Sequence, residues 1–488
     1  MEGLEITLLV LYAACLVFLF LYSAVQLHLT VLYRHYRKRP KKEPAPLHQW
    51  PTVTVQLPLY NEVYVAERLL RAVAALDYPR ELLQILVLDD STDETVALVA
   101  REVEKGQRQG LSIQQVRRPD RTGYKAGALQ HALPLSTGEF IVLFDADFLP
   151  APDFLRQALP YFTSARVGVV QTRWGHLNRS FSLLTQLQAF GLDAHFTVEQ
   201  GARNKGHHFI NFNGTAGIWR KKTILEAGGW HADTLTEDLD LSYRAQLQGW
   251  EFRYVEHIAV PAELPVTMPA LRSQQYRWTK GAAETARKHL WQVLRSDKPW
   301  LSKWFAFFHL LNSSVFVAVL VAALLSVPVM LVQDRYPVVV HLLGYSSVFK
   351  VSFLILGFFY WTAERHLYSG TLSGWTFPVR FFYFLVMSLG LSLHNALAVL
   401  EGFLGRKTPF VRTPKFNLAP QQKGNWRLNQ YSLSKVPPLA WLEGLLCLYF
   451  LFAVGVGVVR QTYGFLPYHL MLSLGFGLVF FYTWRHSK

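Results

Sequence analysis

The sequence predicts an α/β domain with a mainly parallel sheet, joined to a bundle of membrane-spanning α-helices. Between Trp50 and Trp304, short β-branched runs alternate with stretches of helical spacing, which is typical of parallel strands connected by helices. Long apolar stretches lie on both sides of this block. Hydrophobic residues make up 51% of the chain, and a mean hydropathy of +0.15 indicates that lipid solvates part of it.

The first predicted element is a membrane helix at residues 1–33. Its apolar run from Leu4 to Tyr33 is longer than the about 20 residues that span a bilayer core. A basic linker at residues 34–51 follows, rich in Lys and Arg at its start. Positive charge beside a span favours the cytoplasm, so we expect a retained anchor with its N-terminus outside rather than a cleaved signal peptide.

The α/β domain is predicted at residues 52–303, and its most informative stretch, IVLFDADFLP, ends a strand with Asp145 and Asp147. Residues i and i+2 of an extended chain point to the same side, so both carboxylates can reach one ligand. Such hard oxygen donors suit Mg²⁺ or Mn²⁺ together with a bound diphosphate. For so short a motif, a pair of solvated loop acids is the alternative interpretation.

Further polar residues follow the first two predicted strands. Asp89 and Asp90 end the second strand, and parallel strands bring all four acids to one edge of the sheet, where ligands of such sheets bind. Tyr60 and Glu62, after the first strand, can hydrogen-bond a base or ribose. Lys125 opens a helix at a glycine turn suited to phosphate. We expect the Ser-Thr-Asp that follows Asp90 to cap the next helix.

The stretch LTEDLDLSYRAQLQGW predicts a helix that begins with acids. Thr236 is expected to cap this helix, and Glu237 and Asp238 occupy its first turn. Helix capping alone would be a sufficient structural explanation of the three residues.

The stretch LRSQQYRWTKG predicts a helix with a polar and aromatic face. Gln274, Arg277 and Trp278 are spaced i, i+3 and i+4, so they share this face. Arg277 can clamp a diphosphate and Trp278 can stack on a sugar ring. In isolation, such a trio is more often a packed aromatic beside a surface arginine.

The C-terminal part is predicted to hold four membrane helices and one helix at the membrane surface. Two spans are expected within residues 304–361, from about Trp304 to Val332 and from Val338 to Trp361, and two more are expected within 436–488. Polar residues interrupt 376–404, whose amphipathic spacing indicates an interfacial helix. Five crossings then place the basic segment 405–435 in the cytoplasm, as the positive-inside rule requires.

The formal net charge of +15 is better explained by orientation in a membrane than by nucleic-acid binding, because much of it flanks apolar segments. We therefore expect a lipid bilayer as partner and no nucleic acid. Cys15 and Cys447 both fall in predicted spans, which argues against a disulfide framework or a cysteine metal site. The histidines lack zinc-protease spacing, and no G-x-S-x-G nucleophile motif occurs.

Four motifs together resemble a known signature. DD at Asp89–Asp90, DAD at Asp145–Asp147, TED at Thr236–Asp238 and QQYRW at Gln274–Trp278 resemble the D, D, D, QxxRW signature of processive family 2 glycosyltransferases, the cellulose synthase superfamily. The strings YKAGAL, FNGTAG and EAGGW look most like cellulose-synthase-like mannan and glucan synthases and their bacterial relatives. The resemblance implies a Rossmann-like domain of the GT-A type.

The resemblance also implies how a donor would bind. Asp89 and Asp90 would hold the nucleoside of a UDP- or GDP-sugar, and Lys125 would lie near the phosphates. Asp145 would contact the nucleotide, and Asp147 would hold Mg²⁺ or Mn²⁺.

The chemistry is implied for the later motifs. Asp238, beside Glu237, would be the general base that deprotonates the acceptor hydroxyl as it attacks the anomeric carbon. One such displacement inverts an α-linked donor and leaves a β-glycoside. Gln274, Arg277 and Trp278 would bind the leaving diphosphate and the acceptor sugar.

The loop PFVRTPKFN resembles the FxVTxK gating loop that closes over the nucleotide in cellulose synthases. Phe410, Thr413 and Lys415 match that pattern, whereas Arg412 stands where the pattern has valine. A basic lid suits a diphosphate. The alternative is a solvated cytoplasmic loop.

By this resemblance we expect a membrane-embedded inverting glycosyltransferase. It would transfer hexose from UDP-glucose or GDP-mannose to a growing β-glucan, mannan or glucomannan and translocate the polymer. A glycolipid synthase that adds one hexose to diacylglycerol or ceramide is the alternative, and a non-catalytic transport subunit is a third hypothesis. The catalytic domain is expected on the cytoplasmic side of an inner or plasma membrane.

Overall fold

A seven-stranded sheet forms the centre of the α/β domain in the computed structural model, which describes residues 2–38, 44–45, 47–336, 347–369, 376–417 and 436–487. The strands are β1 Val53–Leu59, β2 Leu83–Asp89, β3 Ser112–Val116, β4 Phe140–Leu143, β5 Val167–His176, β6 Gly217–Arg220 and β7 Glu251–Ala262. They pair in the order β3-β2-β1-β4-β6-β5-β7. Only β6 runs antiparallel to its neighbours, so the predicted mainly parallel sheet is confirmed.

Seventeen described α-helices surround the sheet or lie in the apolar segments. They are α1 Glu2–Arg37, α2 Ala66–Ala74, α3 Thr95–Arg108, α4 Tyr124–Ala132, α5 Phe154–Ala158, α6 Leu183–Ala194, α7 Gln200–Lys205, α8 Lys221–Glu226, α9 Glu237–Leu247, α10 Met268–Arg295, α11 Trp300–Leu310, α12 Ser314–Val332, α13 Ser347–Leu367, α14 Thr376–Gly390, α15 Ser392–Phe403, α16 Pro438–Val459 and α17 Leu466–His486.

Both faces of the sheet are covered, which explains why its strands are almost continuously apolar. In β2, Ile85 and Val87 belong to one apolar layer, and Leu86 and Leu88 belong to the other. Successive strand residues point to opposite faces, so a fully buried strand needs apolar groups at every position. Helices α2 and α3 contribute to the first layer, whereas α4 and α9 contribute to the second.

The acids at the strand ends share one edge of the sheet, as expected. Leu59 of β1 pairs with Asp89 of β2, so these two strands end side by side. On the other side of β1, strand β4 ends at Leu143, two residues before Asp145. The loops that follow the three strands therefore open onto the same space.

Four of the described helices are long and apolar enough to cross a membrane: Gly3–Arg37, Ser314–Arg335, Pro438–Val459 and Tyr463–His486. A fifth crossing results if α14 and α15, which meet at a bend of 50°, count as one broken span. By length and composition, these helices indicate a membrane protein. The interfacial position expected for residues 376–404 and the predicted five crossings stay predictions.

The predicted span from Trp304 to Val332 is wrong as a single helix. Helix α11 ends at Leu310 and α12 begins at Ser314, because the polar residues Asn312 and Ser313 interrupt the apolar pattern and line a cavity between helices. The next predicted span begins in residues 337–346, outside the described part. Residues 418–435 of the basic segment also lie outside it.

Candidate active site

The side chains predicted to bind substrate surround one cavity of about 200 Å³ at the carboxyl edge of the sheet. The predicted residues in its walls are Tyr60, Glu62, Asp90, Lys125, Asp145, Asp147, Glu237, Asp238, Gln274, Arg277, Trp278, Phe410, Thr413 and Lys415. They come from segments as far apart as residues 60 and 415, and the fold brings them together.

Asp89 is the predicted site residue that does not reach this cavity. Its side chain is fully buried and accepts hydrogen bonds from the backbone N–H of Ser91 at 3.0 Å and from Gln115 at 2.7 Å. Neighbouring residues at a strand end point to opposite sides, so only Asp90 of the pair faces the ligand space. The expectation that both acids contact the ligand is therefore corrected: Asp89 fixes the loop.

The acidic motif at the start of α9 lies against α10. The helix begins at Glu237 as predicted, but Thr236 does not cap it with its side chain, and the expected cap is wrong. The Thr236 hydroxyl instead lies 3.2 Å from the hydroxyl of Thr285 in α10. A Cβ at Gly281 of α10 would come within 2.5 Å of Thr236, so only glycine permits this close approach.

Lys125 connects the acids of two motifs. Its Nζ donates to Asp145 Oδ1 at 2.6 Å and to the carbonyl of Gly214 at 2.9 Å, and it lies 3.7 Å from Glu237 Oε1. Burial by itself lowers the pKa of Lys125. The carboxylates of Asp145 and Glu237 have the larger combined effect and raise this pKa to about 12. Lys125 is therefore a fixed cation in the wall of the cavity.

Two adjacent acids of α9 are held with raised pKa values. Burial raises the pKa of Glu237. Burial and the neighbouring Glu237 carboxylate raise the pKa of Asp238. Gly214, at φ +80°, lets the backbone pass so close that an added Cβ would lie 3.0 Å from Asp238 Oδ2. A carboxyl in this setting takes up a proton near neutral pH, which is what a general base requires.

The segment after α15 covers the cavity like a lid. Lys415 Nζ donates to Asp147 Oδ2 at 2.7 Å, and the hydroxyl of Thr413 accepts from Arg277 Nη2 at 2.8 Å. The Arg277 guanidinium lies 4.5 Å from the ring centroid of Phe410, which stacks on Tyr124 at 5.7 Å. The described residues that match the gating-loop pattern thus all touch the site.

The cavity has the donor chemistry for a divalent cation. Among the described residues, its walls carry seven carboxyls and five Lys and Arg side chains. Burial raises the pKa of Glu62 to about 7, although Arg412 opposes this and Asp147 adds to it. Asp145 and Asp147 place hard oxygen donors in one cavity, and such donors fit Mg²⁺ or Mn²⁺.

A second group of possible ligands, His231, Asp233 and Asp240, does not suit a metal ion. Their ligand atoms lie within 4.8 Å of one another. However, Lys288 Nζ lies 2.7 Å from Asp240 Oδ1 and 2.8 Å from Asp233 Oδ2. Arg244 and His289 also occupy both oxygens of Asp240. In the first cavity, by contrast, Lys125 and Lys415 each contact one carboxylate oxygen of the DAD motif.

Sequence reasoning assigned no ligand contact to several residues that also line the cavity. The Arg121 guanidinium lies 3.3 Å from the ring centroid of Tyr60, and Arg412 Nη1 lies 3.0 Å from Glu62 Oε2. Arg412 was visible only as a departure from a pattern. Asn213 belongs to the glycine-rich FNGTAG stretch and also lines the cavity.

A second, mainly apolar cavity of about 510 Å³ adjoins the first and extends among the membrane helices. It begins at Asp238 and Trp278, which line both cavities. It continues to Ser23 of α1 and Ser352 of α13, which share a hydrogen bond of 3.0 Å. The acids of the site are thus continuous with a space inside the membrane bundle.

Comparison with known proteins shows the family to which the chain belongs. A family profile described as "Glycosyltransferase like family 2" matches residues 51–281. Glucomannan 4-beta-mannosyltransferase 2 of Arabidopsis thaliana is 36% identical over 422 residues, which are 81% of this chain and 75% of that protein. The chain belongs to glycosyltransferase family 2. Glucomannan 4-beta-mannosyltransferase 7 of Arabidopsis thaliana is 38% identical over 64% of this chain and 60% of its own length.

A solved structure shows the same fold. The mannosyltransferase PcManGT from Pyrobaculum calidifontis, solved with GDP-Man and Mn²⁺, aligns with 74% of this chain and 99% of its own, with a TM-score of 0.52 and 22% identity. The predicted GT-A type of the α/β domain is confirmed. The resemblance to the cellulose synthase superfamily is confirmed by the relatives, which makes this family 2 glycosyltransferase a cellulose-synthase-like one.

Proposed function

We propose that this glycosyltransferase is an inverting hexosyltransferase that extends a β-linked mannan or glucomannan from a nucleotide sugar. The observation that carries the proposal is that the raised-pKa carboxyl of Asp238 and the ring of Trp278 lie where the two cavities meet, with the cations Lys125 and Arg277 in the wall of the first cavity. The names of its relatives, glucomannan 4-beta-mannosyltransferases, support mannose and glucose as the sugars. GDP-mannose and UDP-glucose are accordingly the donors to test.

The donor nucleotide fits the end of the cavity that lies near β1 and β2. Tyr60 with the guanidinium of Arg121, and Asp90, offer stacking and hydrogen-bonding groups for the nucleoside. Lys125 and Arg277 offer positive charge to the diphosphate. Burial lowers the pKa of Arg277 to about 10, so it is still charged at neutral pH.

Transfer follows from the groups at the other end. The acceptor sugar stacks on Trp278, and its hydroxyl oxygen attacks the anomeric carbon of the donor. Asp238 accepts the hydroxyl proton. The bond from the anomeric carbon to the diphosphate oxygen breaks, and the diphosphate leaves with the electron pair toward Arg277 and Lys415. No covalent enzyme intermediate is needed.

A divalent cation completes this scheme. Asp147, with Asp145, would hold Mg²⁺ or Mn²⁺, and Lys415 supplies a further cation from the lid. When bound, the ion neutralises negative charge on the leaving diphosphate.

The polymer would leave through the cavity of about 510 Å³ among the membrane helices. Its position beside Trp278 supports passage of the product without release into solution. With the N-terminus outside, the catalytic domain would lie in the cytoplasm, where nucleotide sugars are made. A lipid acceptor would also have to enter from the membrane, so the glycolipid synthase is the second candidate.

Purified enzyme incubated with radiolabelled UDP- or GDP-hexoses tests the proposal. We expect one or two of the donors to give a water-soluble or insoluble polymer of many residues with β-linkages by linkage analysis. A product of one sugar that partitions into organic solvent, and that forms only after addition of diacylglycerol or ceramide, would support the glycolipid synthase and contradict the proposal.

A further inference from the structure

An amide lies where the two cavities meet. Six described side chains line both cavities: Trp174, Leu192, Asn213, Thr236, Asp238 and Trp278. Trp278 and Asp238 have roles in the proposed transfer, and Asn213 is the amide of the set. An amide offers two N–H donors and one acceptor, which suits sugar hydroxyls.

The chain fixes the direction in which Asn213 points its hydrogen-bonding groups. Its Oδ1 accepts from Nε2 of the buried Gln200 at 2.6 Å, and its Nδ2 lies 3.1 Å from Nε2 of His195. Its backbone N–H donates to Gln171 at 2.9 Å. One N–H of the Asn213 amide therefore serves His195, and the second has no acceptor among the described residues.

His195 owes its position to an irregular turn. Helix α6 changes at its end to a π-helical turn, His195–Glu199, before α7 begins. Such a wider turn redirects side chains and is often found at functional sites. It places the half-buried imidazole of His195 in the wall of the cavity among the membrane helices.

An anchor from the first membrane helix fixes the imidazole. Its Nδ1 lies 2.7 Å from Glu199 Oε2, and Gln26 of α1 donates to Glu199 Oε1 at 2.6 Å. The Glu199 carboxylate accepts the Nδ1–H, so the Nε2 lone pair of His195 faces the Asn213 amide. Gln26 and His195 thus both donate to the Glu199 carboxylate, and the Asn213 amide donates to His195.

We propose that Asn213 orients the acceptor sugar by donating a hydrogen bond to one of its hydroxyls, and that His195 is a positioning residue that holds this amide. The inference rests on the proposed function and adds to it a contact on the acceptor side. A sugar that only stacks on Trp278 can rotate in the plane of its ring. The hydrogen bond from Asn213 fixes this rotation, so that the attacking hydroxyl lies next to Asp238. Without this contact the acceptor turns away, and a water oxygen attacks the same anomeric carbon. The products are then free hexose and nucleoside diphosphate.

The test compares nucleotide release with hexose incorporation in the full-length enzyme. The variants are Asn213→Ala and His195→Ala, and each is supplied with the donor that the wild type uses. We expect the ratio of incorporated hexose to released nucleotide to fall about five- to tenfold in both, the effect of one lost hydrogen bond. The donor concentration for half-maximal nucleotide release should stay within about twofold, since the lost contact is on the acceptor side.

Matched variants separate positioning from a general loss of structure. Asn204→Ala also removes an amide, which donates to the Phe252 carbonyl at 2.7 Å outside both cavities, and it should leave the ratio unchanged. Glu199→Leu should lower the ratio like His195→Ala. Glu199→Gln should restore it, because an amide oxygen can accept from His195 and the amide N–H can donate to the unpaired Oε1 of Gln26.

Several outcomes would overturn the inference. Among them are an unchanged ratio in Asn213→Ala, or release and incorporation that fall in parallel in both alanine variants. If Glu199→Gln had a ratio of incorporated hexose to released nucleotide as low as that of Glu199→Leu, the positioning role of His195 would be overturned. A wild type that forms no polymer from any donor would instead reject the proposed function, and this inference with it.

Discussion

Replacing Asp238 by asparagine removes the proposed base while keeping the size of the side chain. The side chain lies in the first turn of α9, and the space beside it is so narrow that an added Cβ at Gly214 would lie 3.0 Å from Oδ2. An isosteric amide fits this space. A positioned base contributes a factor of about 100 to 10,000 to a rate, or about 2.7 to 5.4 kcal/mol of the activation barrier at 1.36 kcal/mol per tenfold. We expect Asp238→Asn to lower the transfer rate by that factor.

The pH dependence gives the same prediction a second readout. The pKa of Asp238 is raised to about 7, by burial first and then by Glu237, so the carboxyl is protonated and inactive as a base below that pH. The wild-type rate should therefore rise up to neutral pH and then level off, falling about tenfold per pH unit on the acid side. An ordinary aspartate, with a pKa of about 3.9, would keep the plateau down to about pH 5.

The assay is nucleotide release and hexose incorporation at saturating donor from pH 5 to 9. Asp233→Asn is the matched control, because Asp233 lies shortly before α9 with its side chain 58% exposed and outside the cavity, and it should keep the wild-type rate. Asp238→Asn should bind donor normally. An Asp238→Asn enzyme that retains more than a tenth of the rate, with the same acid limb, would refute the reasoning.

Three further predictions concern the metal, the packing of α10 and a buried ion pair. Chelation of divalent cations should abolish transfer and added Mn²⁺ or Mg²⁺ restore it, whereas full activity in chelator would contradict a cation at Asp147. Gly281→Ala should push α10 off Thr236, lower the melting temperature of the detergent-solubilised enzyme by an amount corresponding to about 1–3 kcal/mol, and slow transfer; unchanged melting and transfer would count against that contact. Arg272 donates to Glu443 of α16 at 2.6 Å with both side chains buried, so Arg272→Met alone should destabilise by about 3–5 kcal/mol in the same melting assay, and adding Glu443→Leu should recover most of the loss. Equal melting of the single and double variants would show that the pair is not coupled.

The shared edge of acids was predictable because it depends on local rules. Strand periodicity and parallel pairing were enough to bring Asp90, Asp145 and Asp147 to one side of the sheet. The same periodicity explains the failure at Asp89, since two adjacent residues cannot both face the ligand. The Thr236 cap failed because a tertiary partner, Thr285, competes for the hydroxyl.

Contacts between distant segments were beyond the reach of sequence patterns. The ion pair between Arg412 and Glu62 joins residues about 350 positions apart in the chain. No local sequence pattern around either residue indicates that they are in contact. The bond from Gln26 to Glu199 likewise needs the packing of α1 against the π-helical turn. The interruption between α11 and α12 is visible in the sequence only as two polar residues, Asn312 and Ser313. That they end a helix depends on the cavity that they line, which the sequence does not show.

The central claim is that one site at the carboxyl edge of the sheet feeds a cavity among the membrane helices. Electron cryo-microscopy of the enzyme incubated with the preferred donor and Mn²⁺ tests it most directly. The account predicts nucleotide density against Tyr60, a cation at Asp147 and sugar density that starts at Trp278 and enters the space beside Ser23. Donor density elsewhere, or a product that leaves toward solvent while that space holds only lipid, would contradict it.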